Sequence, residues 1–235
     1  PDSMTFDRCC QVSCECKEVP SLLPGIWGRY SDAILSPDGL WVSGYDTSYG
    51  DLVLGVHSQL SGTLNRLHYV DGVPTGGAVV ANPSGYRAGR MEPGPDVGQH
   101  TSIALQNGEP RVVYYDVENQ DLKYAAYDEG SDSWAVSLID LGGEAPENDV
   151  GRYTSLIIDS HGIAHISYYA HRILLNGITQ TGVKYARAKT TLPADAGDWD
   201  TTLIEALSSC DNRCSEEQEC VSRNAELVCL EKTEN

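Results

Sequence analysis

The chain has one phenylalanine and two methionines, and between Cys16 and Cys210 it has no cysteine. No stretch approaches the roughly 20 apolar residues that a membrane-spanning helix requires. Basic residues are scarce: 16 Lys plus Arg stand against 34 Asp plus Glu, a formal net charge of −18. Such a surface repels phosphate backbones, so nucleic acid is not an expected partner, nor is a membrane span. The short signatures of catalysis are also missing. There is no Gly-x-Ser-x-Gly elbow, no phosphate-binding P-loop and no His-Glu-x-x-His. Without any Cys-x-x-Cys, the cysteines do not read as a zinc ribbon or a haem attachment. These absences lean against an enzyme.

What is abundant is turn chemistry and tyrosine: 23 Gly, 11 Pro and 13 Tyr, with 40% hydrophobic and 21% charged residues. This composition fits a folded, strand-rich chain with tight turns. The eight cysteines form two tight groups, Cys9, Cys10, Cys14 and Cys16, then Cys210, Cys214, Cys220 and Cys229. Their even number in short polar segments predicts disulfide-stapled appendages over residues 1–27 and 207–235 and an oxidising compartment. Cys9 and Cys10 are expected to bond different partners, because a vicinal bridge is strained. With no signal peptide visible and Pro1 as the first residue, the sequence reads as mature, processed material, secreted or at the cell surface.

Between these segments the chain repeats itself. Gly28-Arg29-Tyr30-Ser31, Gly98-Gln99-His100-Thr101 and Gly151-Arg152-Tyr153-Thr154 open three units, each followed by a strand-length run and a Gly-containing turn. Second strands are read at Trp41–Asp46, Arg111–Asp116 and Ala164–Tyr169, and third strands at Leu52–Gly55, Leu122–Ala125 and Val183–Ala186. The fourth strands end on acids: Trp134 to Asp140 matches Trp199 to Glu205, while Asn65 to Asp71 keeps the length without the Trp. Four short alternating strands per unit predict antiparallel sheet, and repetition at this period predicts propeller blades. The pattern resembles the blade repeats of secreted bacterial β-propeller proteins. Its elements are a Gly-x-aromatic-Ser/Thr opening, a Tyr-Tyr strand, a Lys-Tyr-Ala strand and a closing Trp-x4-Ile-acid, over about residues 28–206. The expected fold is all-β, with units at about 28–71, 98–140 and 151–205.

Propellers usually have four to eight blades, and three cannot readily surround an axis. A partner, a hidden blade or a different stacking is therefore expected. The insert 72–97, with six Gly and four Pro, reads as loop or hairpin rather than a blade.

The chemistry-bearing residues are less pointed. His161, His165 and His171 cluster in unit three, but a turn breaks their register and plain strand filling explains His165, in the place of Val42 and Val112. His100 fills the slot of Tyr30 and Tyr153, which reads as an aromatic packing position. Ser36-Pro37-Asp38-Gly39-Leu40-Trp41 is similar to a sialidase Asp-box but is a residue short at two places and does not recur, so it reads as a β-turn. The acidic turn Asp128-Glu129-Gly130-Ser131-Asp132 could hold Ca²⁺, although EF-hand spacing is missing; no other cofactor is expected. Adjacent tyrosines place one ring on each strand face, one to pack between blades and one to meet solvent or a partner. On this basis Tyr115, Tyr169, Tyr86 and Arg87 are the candidate binding residues. The expected function is non-enzymatic: self-association into a homo-oligomer or filament, glycan binding, or both. A glycan-active hydrolase on the same scaffold is the alternative.

Overall fold

A computed structural model describes residues 19–37, 39–141, 148–175, 178–208, 218–223 and 226–231. These form three four-stranded antiparallel sheets, each with its strands in chain order. Blade I comprises β1 (Trp27–Ser36), β2 (Gly39–Asp46), β3 (Asp51–His57) and β4 (Leu64–Asp71). Blade II comprises β5 (Val97–Gln106), β6 (Glu109–Asp116), β7 (Asp121–Asp128) and β8 (Ser133–Asp140). Blade III comprises β9 (Asp149–Ile158), β10 (Ala164–Leu175), β11 (Ile178–Ala188) and β12 (Trp199–Ser208). A separate hairpin, β13 (Gln218–Arg223) and β14 (Glu226–Glu231), approaches β12. Among the described residues helix is limited to two 3-10 turns, Tyr86–Gly89 and Ala196–Asp198. The all-β blade-repeat reading holds. Of the cysteines, Cys9, Cys10, Cys14, Cys16, Cys210 and Cys214 lie outside the described residues. Cys220 pairs in register with Cys229, and Cys229 is disulfide-bonded.

The blades stack in sequence, β5 lying against β1, β2 and β3, and β9 against β5, β6 and β7. The opening glycines permit this approach. Gly98 has a φ of +101°, and a Cβ there would stand 2.7 Å from the Leu52 Cα; at Gly151, φ +107°, it would stand 3.0 Å from the Leu122 Cα. Gly28 has the same left-handed backbone but meets no neighbour, because no blade precedes it among the described residues. Two apolar layers result. Trp41, Leu52 and Leu54 of blade I pack on Val97, Ile103, Val112 and Tyr114 of blade II. Val113, Leu122 and Tyr124 of blade II pack on Leu156, Ile166, Tyr168 and Trp199 of blade III.

One register differs from the sequence reading. Ile34 pairs with Trp41, Ala104 with Arg111 and Ile157 with His165. Residues 165–170, not 164–169, therefore correspond to 41–46 and 111–116. A one-residue slip exchanges the faces of a strand. His165 thus occupies the place of Trp41 and Arg111, facing away from the preceding blade, rather than that of Val42 and Val112.

Apolar burial is non-directional, and polar clasps fix how one blade sits on the next. Asp71, the last residue of blade I, accepts from the Tyr114 hydroxyl at 2.7 Å and from the Lys123 ammonium at 2.5 Å. Asp140, the last residue of blade II, accepts from the Tyr168 hydroxyl at 2.6 Å and from Lys184. In both cases the ammonium also lies 5.8 Å from the centroid of the same tyrosine ring.

The face of blade I away from blade II is closed differently. Gly44 and Val53 stand where blade II has Tyr114 and Lys123, and the Trp27 ring lies over Gly44 and Gly55. The segment before β1 crosses this side: Gly25 donates to the Tyr69 hydroxyl, and Asn82 of the insert donates to the Pro20 carbonyl. The insert is irregular chain, pinned by Arg87, whose guanidinium reaches Asp51 at 2.5 Å with both side chains at 0% exposure. Removing either partner of so deep a pair would leave a buried, uncompensated charge.

Two outcomes follow. Removing the Asp140 carboxylate strands a part-buried ammonium and phenol, so Asp140→Ala is expected to cost about 3 kcal/mol in chemical denaturation, while Asp200→Ala, at an exposed pair, stays within about 0.5 kcal/mol. The second concerns His68, set in an aromatic cluster with Trp41, Tyr127 and Trp134, where the Trp134 indole N–H donates to its Nδ1 at 3.3 Å. Burial, then the Arg66 charge, pushes its pKa down from 6.5 to about 4. The unfolded chain takes up this proton below about pH 6.5, whereas the folded one waits until about pH 4, so the stabilisation present above pH 6.5 is lost as pH falls through that window. The thermal midpoint should therefore drop more steeply between pH 7 and 4.5 in the wild type than in His68→Phe; parallel profiles would refute this.

Candidate functional site

The Gly-x-aromatic openings place Tyr30, His100 and Tyr153 at the same point of β1, β5 and β9. All three take a left-handed backbone, with φ of 53°, 53° and 51°. An L-residue there costs roughly 1–2 kcal/mol relative to ordinary backbone. The conformation aims each carbonyl at the next blade: Thr101 Oγ1 donates to the Tyr30 carbonyl at 2.6 Å, and Thr154 Oγ1 donates to the His100 carbonyl. Glycine could supply that backbone without strain, so an aromatic at all three positions calls for a reason in the ring itself.

The rings form one continuous row. Tyr30 and His100 have centroids 4.5 Å apart, as do His100 and Tyr153. Behind them stand Tyr45, Tyr115 and Tyr169, each 6.1–6.2 Å from its partner in the row. The row is open to solvent, Tyr30 at 40% and Tyr153 at 71% exposure. His100 is half-buried, and burial followed by the Arg152 charge lowers its pKa below 6.5. At neutral pH its ring therefore sits in the row uncharged. Arg29 lies 6.0 Å from the Tyr30 ring and Arg152 lies 5.1 Å from the Tyr115 ring, so guanidinium donors flank the aromatic faces.

The carboxylates around the row are engaged in holding blades together. Tyr45 donates to Asp96 and Tyr115 to Asp149, each at 2.9 Å. Burial foremost, with these carboxylate contacts adding to it, pushes both phenols up to about 12, which keeps them protonated as donors. Arg152 is paired to Asp149 at 2.6 Å. Asp32 accepts from Ser102 Oγ and from the Ile103 backbone N–H of the next blade. Asp51, whose carboxyl is pushed up by burial against the opposing pull of Arg87, is sealed from any substrate.

The candidate residues of the sequence are thus redistributed. Tyr115 does not meet solvent: it is 2% exposed, and its hydroxyl is held by Asp149. Tyr169 is half-buried beside Tyr153. Tyr86 and Arg87 lie elsewhere, on a recess of ≈ 540 Å³ lined also by Ser21, Leu67 and Tyr69. Arg87 presents no charge there, because Asp51 and the carbonyls of Arg90 and Glu92 surround its guanidinium. In the acidic turn Asp128 accepts from the Gly130 N–H and Ser131 Oγ, and Asp132 from the Tyr127 hydroxyl and Arg66. His165 bonds Tyr185 and Asp159. Among the described residues no three His, Cys, Asp or Glu side chains converge as a metal site. The row itself was visible in the sequence as three aligned aromatics two residues after glycine, but packing explained them equally well until the left-handed backbone and the exposure were known.

No protein-family model matches the chain, and no curated protein matches it. Among solved structures it is similar to a bifunctional GH43-CE protein of Bacteroides eggerthii, with TM-score 0.41 and 12% identity over 76% of this chain and 19% of that one. It is also similar to a GH43 endo-arabinanase from Bacillus licheniformis, with TM-score 0.36 and 10% identity over 83% of this chain and 64% of that one. The chain spans less than two thirds of the length of either.

Proposed function

We propose that this protein is a non-catalytic glycan-binding module whose binding surface is the row Tyr30–His100–Tyr153. The observation that carries the reading is the strained, left-handed aromatic retained at the same place in three blades, with its ring turned to solvent in two of them. An aromatic face is negative at its centre, and the C–H face of a sugar ring is weakly positive, so flat rings in a row suit a saccharide chain lying along them. Arg29 and Arg152 at the margins supply hydrogen-bond donors for sugar hydroxyls. The neighbouring carboxylates are tied into inter-blade bonds, which favours binding over hydrolysis.

Tyr153 separates this reading from a structural one. Tyr153→Gly removes the ring and relieves the backbone strain, so stability is expected to hold or rise by up to ~1 kcal/mol. In native affinity gels cast with soluble polysaccharides, the wild type should be retarded by at least one of them. Tyr153→Gly and Tyr153→Ala should lose that retardation at least tenfold. Retardation by none of a broad set of plant and bacterial polysaccharides, or retardation indifferent to Tyr153, would sink the proposal, as would a large loss of stability in Tyr153→Gly.

A further inference from the structure

The face of blade III turned away from blade II is built to a pattern whose counterparts are filled in the other two blades. Glu205 stands where Asp71 and Asp140 each receive a tyrosine hydroxyl and a lysine ammonium. Tyr169 stands where Tyr45 and Tyr115 each donate to an aspartate of the next blade. The Tyr153 carbonyl stands where those of Tyr30 and His100 each receive a threonine hydroxyl. None of these three groups meets such a partner among the described residues.

The apolar positions agree. Ile157, Val183 and Ile204 are 62%, 42% and 62% exposed. Their counterparts Ala104, Leu122 and Ile139 in blade II are 7%, 0% and 2% exposed against blade III. The face is more polar than its counterpart on blade II, with Ser167 for Val113 and Arg187 for Ala126, which lets it stand in water.

A second copy of this chain does not offer the matching surface at its first blade. There Ile26 replaces the aspartate, Ser31 the threonine, Gly44 the tyrosine and Val53 the lysine, and Trp27 covers the sheet.

We propose that the outer face of blade III seats a four-stranded β unit of a partner polypeptide with complementary chemistry. Its first strand carries an aspartate and, five residues on, a threonine, as in Asp96/Thr101 and Asp149/Thr154. Its second strand offers a tyrosine and its third a lysine to Glu205. Charge complementarity and continuity with two existing interfaces of the same design select this occupant.

The probe is the full chain with a second copy of residues 96–141 placed after Ser208, which presents the four groups to the face. Amide hydrogen exchange at residues 183–185 and 203–205 is expected to slow at least tenfold relative to the unmodified chain. That protection should be lost when the inserted copy alone carries Tyr114→Phe and Lys123→Met, and also in Glu205→Lys. A parallel chain carrying a second copy of residues 149–208 guards against misfolding of one insert. Unchanged exchange with both inserts, or protection indifferent to the Tyr, Lys and Glu changes, would overturn the proposal and mark the face as a solvated end. Light scattering of the unmodified chain supplies the remaining arm: a dimer abolished by Glu205→Lys would assign the face to a second copy and overturn it equally. Neither result bears on polysaccharide retardation, so this inference and the binding function fail independently.

Discussion

Everything in this molecule depends on a carboxylate at the end of one blade held by a tyrosine and a lysine of the next. Sheets stacked by apolar burial alone could slide or rotate, because dispersion and hydrophobic contacts tolerate many registers. The Asp71 and Asp140 clasps remove that freedom. Each carboxylate is only 20% and 12% exposed at its side chain, so it needs compensation for lost water. The lysine supplies charge and the phenol supplies a directed donor. Burial and the adjacent carboxylate push the Tyr114 and Tyr168 hydroxyls up, so they remain protonated and donating. The acid comes from the fourth strand, while the tyrosine and lysine come from the second and third strands of the following sheet. One clasp therefore locks two sheets across their width.

Such an array has a direction, and its two ends differ. Blade I keeps the trailing acid and loses the leading tyrosine and lysine, and its bare side is covered by Trp27, the segment before β1 and the insert. The insert does not add a blade. Its Arg87–Asp51 pair, with the guanidinium 4.0 Å from the centroid of the Tyr49 ring, anchors a cover over the first sheet. Head-to-tail contact between copies would have to displace that cover, so a closed ring or a filament of copies finds no ready surface at blade I. Blade III has the opposite character, with trailing groups of the repeated kind and no further four-stranded sheet to meet them among the described residues.

Much of the architecture was legible because the periodic features are local. The glycine openings, the strand lengths and the closing acids can be read without knowing what they touch. The missing Trp of unit one was visible too, but its cause was not. Trp134 contacts the ring of Trp41, and Trp199 that of Tyr124, so this tryptophan reaches back to the preceding blade, and no blade precedes blade I among the described residues. The register of β10 was misread because two adjacent tyrosines allow either alignment, and only hydrogen-bonded pairing tells Tyr168, which reaches back to Asp140, from Tyr169, which faces the other way. The same ambiguity made Tyr115 look available to a ligand. Nothing local in the sequence distinguishes a tyrosine whose hydroxyl ends on Asp149 from one that ends in water.

The aromatic row shows where local reading stops and physical reasoning has to take over. The stack uses the Tyr30 and His100 carbonyls turned toward the following blade, and a left-handed residue provides the turn. Selection for folding alone would favour glycine at those places, as it does two residues earlier at Gly28, Gly98 and Gly151. The side chains present instead are large, planar and partly solvated, and they touch one another at 4.5 Å rather than burying themselves. Packing therefore explains too little of the strain they sustain. The saccharide contact proposed above accounts for both the strain and the exposure, since a tyrosine offers an apolar face and a polar tip at small entropic cost. Because the same backbone turn joins blade to blade, the row cannot shift without loosening the stack. The geometry of the row is thus tied to the threonine–carbonyl bonds that join each blade to the next.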